Sequence, residues 1–153
     1  MLEHAGHQTL GWFDGAVHVL PVRVYYQDTD AGGIVYHANY LDFAERSRWE
    51  MIRSIGYDCL ELQEVESMLF VVKRIEIDYL NPARLGDMIE VRTSVEKVGG
   101  ASLNVHQSMT LGGKNLANLR IRLGCVDPTA KPRRMPKGLR DRLNELTQEN
   151  RQD

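Results

Sequence analysis

Two glycine doublets, Gly99-Gly100 and Gly112-Gly113, separate three stretches in which apolar and polar residues alternate. Ile89, Val91, Thr93 and Val95 alternate with Glu90, Arg92, Ser94 and Glu96. Leu103, Val105, Met109 and Leu111 share a face whose apolar row Gln107 breaks, and Leu119, Ile121 and Leu123 alternate with Arg120, Arg122 and Gly124. A period of two gives each strand one apolar side, and paired glycines suit the tight turns of hairpins. Two hairpins in succession make an antiparallel meander. Its apolar face has to be covered, and that need constrains what the rest of the chain can do.

The one long segment able to cover it runs from Asn39 to Ile55. At helical spacing, Tyr40, Leu41, Ala44, Met51, Ile52 and Ile55 form one stripe, with Asp42, Arg46 and Arg53 opposite. Asn39 is the expected N-cap, Asp42 suits the positive end of the helix dipole, and Gly56 is a stop signal. Before the helix, Val22, Val24 and Tyr26 alternate as a strand. After it come a short acidic helix from Asp58 to Glu66 and a strand from Phe70 to Tyr79, ended by Asn81-Pro82. A terminal helix is expected from Pro136 to about Gln148. The expected architecture is α+β: about five antiparallel strands wrapped around one long helix, with a C-terminal helix, an arrangement known as the hot-dog fold. Residues 1–17 read as an irregular lead-in, and residues 18–150 as a single domain.

Composition sets the outer bounds. The chain has 153 residues, 42% of them hydrophobic and 26% charged, which suits one globular domain. Its longest clean apolar run, Met68 to Val72, is far below the roughly 20 residues of a membrane-spanning helix. A net charge of -2 argues against a dedicated nucleic-acid binder. The opening MLEHAGHQTL lacks the basic and apolar regions of a secretory signal. Cys59 and Cys125 are the only cysteines, and they read as free core thiols in a cytoplasmic protein.

Chemistry concentrates between Arg23 and Tyr40, where a strand passes into the main helix through Asp28-Thr29-Asp30-Ala31-Gly32-Gly33. A helix N-terminus offers unpaired N–H groups that can hold a developing oxyanion. The glycines let the backbone approach a ligand closely. Asp30 beside such donors is half of an acyl-transfer site, as nucleophile or as base toward water. It also suits a plain turn or cap carboxylate, while Asp28 is expected only to orient the turn. A metal-binding reading of Asp28 and Asp30 lacks a His or Cys at ligand spacing beside them.

The stretch DTDAGGIVYHANY resembles the signature of the YbgC-type acyl-CoA thioesterases, relatives of 4-hydroxybenzoyl-CoA thioesterase. Arg23-Val24, Thr29-Asp30, Gly33-Ile34-Val35 and the helix LDFAERSR fit the same pattern, and the element order agrees over about residues 20–148. The resemblance implies a hot-dog fold and hydrolysis of short-chain or aromatic acyl-CoA without metal or cofactor. It implies sites at a dimer interface, often in a dimer of dimers, and association with the Tol-Pal cell-envelope system. Acyl carrier protein is a further implied partner. The family's essential carboxylate falls on Asp30, its histidine on His37 and its aromatic hydroxyl on Tyr26. Gly32, Gly33 and Tyr36 would line the substrate, and a backbone N–H near His37 would hold the oxyanion.

Each residue also has a plainer reading. His37 suits a helix cap, and Tyr26, in phase with Val24, suits a core tyrosine. His4, His7, His18 and His106 show no ligand spacing and read as structural. Arg48 falls inside the apolar stripe, where it either pairs with Glu45 or forms an ion pair across a dimer. Trp49 is either covered by the lead-in or an oligomer contact. Lys131, Arg133, Arg134, Lys137, Arg140 and Arg142 make either a solvated helix start or a contact for coenzyme A phosphates. The competing function is a non-catalytic hot-dog module that holds acyl-CoA or acyl carrier protein. A hydratase is disfavoured because residues 41–56 contain no histidine.

Overall fold

The computed structural model of the chain describes residues 8–152. In chain order it contains β1 (Trp12–Asp14), β2 (Val17–Arg23), a 3-10 turn (Tyr26–Asp28), α1 (Asn39–Ser54), α2 (Cys59–Glu66), β3 (Leu69–Tyr79), β4 (Met88–Val98), β5 (Ser102–Leu111), β6 (Lys114–Val126) and α3 (Lys137–Gln152). All strand pairs are antiparallel, in the order β1-β2-β4-β5-β6-β3. The expected meander is β4-β5-β6. Its outer edges are taken by β2, which pairs with β4, and β3, which pairs with β6. The chain must therefore travel from one side of the meander to the other between β2 and β3. It does so through α1, whose Phe43, Ala44, Met51 and Ile52 join one core with Val91, Val105, Leu119 and Ile121. This is the hot-dog arrangement.

A polar network ties the helix to the sheet inside that core. Gln107, fully buried, donates through Nε2 to Ala44 O and Thr93 Oγ1, both at 2.9 Å, and accepts from Arg48 Nη1 at 3.2 Å. Ser47 Oγ lies 2.8 Å from Thr93 Oγ1. The break in the apolar row of β5 is thus a hydrogen-bonding station.

Three expectations need correction. The lead-in is not irregular throughout: Trp12–Asp14 pairs with Val17–Val19, and Ala16 is buried in the core, so the sheet has six strands. Residues 1–7, with His4 and His7, lie outside the described part. The strand expected through Tyr26 ends at Arg23, because Asp28 accepts from the Tyr25 N–H and folds the next residues into the 3-10 turn. Asn39 does not cap α1; Ala38 occupies that position, and the Asn39 side chain is engaged elsewhere. The strand over residues 69–79 is broken in phase, with a register shift between Val72 and Arg74. One extra residue reverses which side faces in, so Phe70 before the shift and Ile75 and Ile77 after it all pack on the core.

Other local signals act as expected. Gly56, at φ +96°, follows the end of α1. Asp58 caps α2 by accepting from the N–H groups of Leu60 and Glu61. Burial pushes the Asp58 carboxyl up, but the hydrogen bonds from Arg53 and these N–H groups outweigh it and hold it low. In α3, Leu139, Leu143 and Leu146 are buried, and the helix packs against β4. Among the described residues no helix is long and apolar enough to cross a membrane.

Candidate active site

The loop from Asp28 to Ala38 is held at both ends by one buried carboxylate. Asp28, 3% exposed, accepts from Tyr25 N at 2.8 Å and from Asn39 Nδ2 at 2.7 Å, and its carbonyl accepts from Tyr36 N at 2.9 Å. The middle of the loop is sewn to residues 83–85, with Val35 N donating to Ala83 O at 2.9 Å and Ile34 bridging to Arg84. These bonds place the loop before any ligand arrives.

Asp30 begins a turn within this frame. Gly33 N donates to Asp30 O at 3.0 Å, and Asp30 N donates to Ile34 O at 2.9 Å. Gly33 has φ +76°, a conformation that disfavours any residue with a Cβ. Gly32 N donates to Asp30 Oδ1 at 2.8 Å, which orients the carboxylate while its side chain stays exposed.

Asp30 and His37 line one cavity of about 330 Å³, with Ile34, Tyr40, Tyr79 and Asn81. Tyr79 Oη donates to the His37 carbonyl at 2.7 Å, and its ring meets the His37 ring edge-on at 6.4 Å. Tyr40 Oη accepts from Ala83 N at 3.2 Å. Burial raises the pKa of both tyrosines, so they serve as neutral phenols. Among the described residues the N–H groups of His37 and Ala38 have no protein acceptor. They lead directly into α1, at the positive end of its dipole. His37, which carries one of these N–H groups, lines the same cavity as Asp30, and a carboxylate near a free donor is the pairing that acyl transfer uses.

The expected residues fare unequally. Asp30 and His37 meet in one cavity. Gly32 and Gly33 shape the turn that carries Asp30. Tyr36 is half exposed, its ring 4.5 Å from that of His37. Tyr26 is 82% exposed and does not line the cavity, so it is not a core tyrosine. Tyr79, Tyr40 and Asn81 were missed; the signal available was that Tyr79 and Asn81 end the strand after the main helix.

Arg48 bonds Gln107 rather than forming an ion pair with Glu45. Trp49 and Leu10 of the lead-in line one groove together. In the basic stretch, Arg133 pairs with Glu66 at 3.2 Å, Lys137 with Asp141 at 3.0 Å and Arg142 with Glu145. Cys59 and Cys125 are unbridged, and burial raises their thiols to about 12 and about 11.

Residues 24–143 match the model of the thioesterase-like superfamily. The chain is 44% identical over 121 residues to the acyl-CoA thioester hydrolase YbgC of Escherichia coli O157:H7, covering 78% of this chain and 90% of that one. It is 41% identical over 127 residues to the acyl-CoA thioesterase YbgC of Haemophilus influenzae, covering 82% and 93%. A crystal structure of a probable thioesterase from Bartonella henselae superposes with a TM-score of 0.76 at 34% identity, covering 78% of this chain and 99% of that one.

Proposed function

This chain belongs to the thioesterase-like superfamily, and from that premise we propose that it hydrolyses acyl-CoA to a free acid and coenzyme A at the cavity of Asp30 and His37. What supports the reading is that the exposed Asp30 and His37 line one cavity, and that His37, at the entry to α1, has an N–H without a protein acceptor among the described residues. The thioester carbonyl oxygen accepts from the His37 or Ala38 N–H, and one such donor lowers the barrier by about 2.7–4 kcal/mol. Asp30 either takes a proton from the attacking water or attacks the carbonyl itself. In both routes the C–S bond breaks and the sulfur leaves with its electron pair; the first gives the acid directly, and in the second water hydrolyses the acyl-aspartyl anhydride, releasing the acid and regenerating Asp30. A thiolate is a good leaving group, so no strong acid is needed opposite Asp30. His37, fixed through its carbonyl by Tyr79, orients the donors and the substrate. Tyr36 flanks the entering group.

The cavity is open in a single chain, and β3 occupies an edge of the sheet with one side of its backbone unpaired. An eleven-residue edge is a template for pairing with a second copy. A dimer, or a dimer of dimers, formed along β3 is the assembly this supports. Two unbridged thiols support a reducing, cytoplasmic setting. Short-chain or aromatic acyl groups, acyl carrier protein as a carrier and association with the Tol-Pal system belong to the proposal on the strength of the family resemblance.

The test is Asp30→Asn. Asparagine keeps the oxygen that accepts from Gly32, so the fold survives, while turnover of acyl-CoA falls by about two to four orders of magnitude. A folded Asp30→Asn variant with undiminished thiol release removes the mechanism.

A further inference from the structure

Asn81 lies two residues beyond the end of β3, directly before Pro82, and lines the cavity of Asp30 and His37. Its Nδ2 donates to Asn115 O, at the start of β6, at 2.8 Å. Turned the other way, the amide would set two oxygens against each other, so Oδ1 is the atom that faces away from Asn115. Among the described residues nothing donates to that oxygen.

The position of this acceptor is fixed from several sides. Leu80 N and Asn81 N both donate to Leu116 O, at 2.8 and 3.1 Å. Pro82 restricts the backbone around it. Ala83 O accepts from Val35 N at 2.9 Å, which ties the segment to the loop that carries Asp30. Asn81 Oδ1 is therefore held in a set relation to the Asp30 carboxylate. A fixed acceptor favours a ligand that brings a donor and disfavours one that brings a second acceptor. The acyl half of a short-chain or aromatic thioester has no donor common to all members. The thiol half of acyl-CoA does: an amide N–H stands two methylenes from the sulfur, whatever the acyl group. A cavity of roughly 150 Å³ holds a benzene ring, so one of about 330 Å³ has room for the thioester and this short arm.

We propose that Asn81 is a specificity residue of the site: its Oδ1 accepts from the amide N–H nearest the sulfur of coenzyme A while the thioester lies between Asp30 and the His37 N–H. Asn81 thereby selects for the thiol that is released rather than for the acid. This role rests on the hydrolytic reading above, and the preference it confers can be absent while hydrolysis persists.

The experiment compares two small thioesters of butyric acid on the full chain. One is the N-acetylcysteamine thioester, which keeps the amide. The other is the 2-acetoxyethyl thioester, in which an ester oxygen replaces the N–H and nothing else changes. Thiol release from each is divided by its rate with hydroxide, which removes any difference in intrinsic reactivity. The corrected kcat/KM is expected to be about tenfold higher for the amide. In Asn81→Ala and in Asn81→Leu, neither of which has the acceptor, the ratio falls to about twofold or less. Equal values on the unaltered chain overturn the proposal, without any variant having to fold, and leave the hydrolytic reading standing. So does an undiminished ratio in either folded variant. Absence of thiol release from both compounds and from butyryl-CoA removes the hydrolytic reading, and this role of Asn81 with it.

Discussion

Asn39, the first residue of α1, donates its side-chain N–H to Asp28 Oδ1 at 2.7 Å. The helix start is thereby bonded to the beginning of the loop that carries Asp30, and the exposed carboxylate inherits its position from a buried one. Two aspartates two residues apart thus have different tasks: Asp28 organises backbone, and Asp30 faces the cavity.

Asp28→Ala leaves the Tyr25 N–H and the Asn39 amide without an acceptor. The expected loss of stability is about 2–4 kcal/mol, on the basis of roughly 1–3 kcal/mol per buried unsatisfied group. Urea unfolding measures it. Acyl-CoA turnover should fall as well, because Asp30 loses its frame. An unchanged urea midpoint would show that this carboxylate does not hold the loop.

Gly33→Ala tests the turn. No atom lies within 4 Å of the added Cβ, so the cost is backbone strain at φ +76° rather than a clash. About 1–2 kcal/mol is expected from a non-glycine residue in this conformation. Thermal unfolding and turnover should both decline, and a variant as stable and active as the parent contradicts the assignment.

Gln107→Leu keeps the volume and removes three hydrogen bonds, to Ala44 O, Thr93 Oγ1 and Arg48. Ala44 O keeps its helical partner and Thr93 Oγ1 keeps Ser47 Oγ, but the buried Arg48 guanidinium loses its hydrogen-bond acceptor. A loss of about 3 kcal/mol or more is expected in denaturant unfolding. A neutral or stabilising result would mean that water reaches this network.

His18 predicts a pH dependence. Burial lowers its pKa below the ordinary 6.5, with the Leu10 backbone and Glu50 acting weakly in the opposite direction. Its ring meets Phe13 edge-on at 5.2 Å, and its Nε2 lies 3.2 Å from Ser54 Oγ. The unfolded chain therefore takes up the proton first as pH falls. Stability from this site is complete above about 6.5 and is lost as pH drops below it toward the folded-state value. Urea midpoints between pH 7.5 and 5 should fall less steeply in His18→Gln than in the parent. Equal slopes would exclude His18 as the source.

Much of this was legible locally. Gly99-Gly100 and Gly112-Gly113 marked the hairpins, the stripe of Tyr40 to Ile55 marked α1, and the Asp30 turn stood at the helix entry. Each signal lies within a few residues of what it specifies. The misreadings came where a distant or unusual partner intervened. Tyr26 followed the alternation of Val24, but Asp28 folded the backbone under it. Asn39 had the chemistry of a cap, but Asp28 claimed its side chain. Trp12–Asp14 is too short for periodicity to register, and its pairing with β2 is what makes it a strand.

Side-chain period and backbone freedom within single elements were enough to tell which faces are apolar, where the chain turns and which carboxylate precedes the main helix. Tertiary structure alone decided that β3 lies beside β6, that Tyr79 reaches the His37 carbonyl, and that Arg48 meets Gln107 beside an apolar hollow. Periodicity states that a face is buried but not against what. The worth of a buried polar group depends on which partner arrives from elsewhere in the chain, in surroundings where no water can take its place.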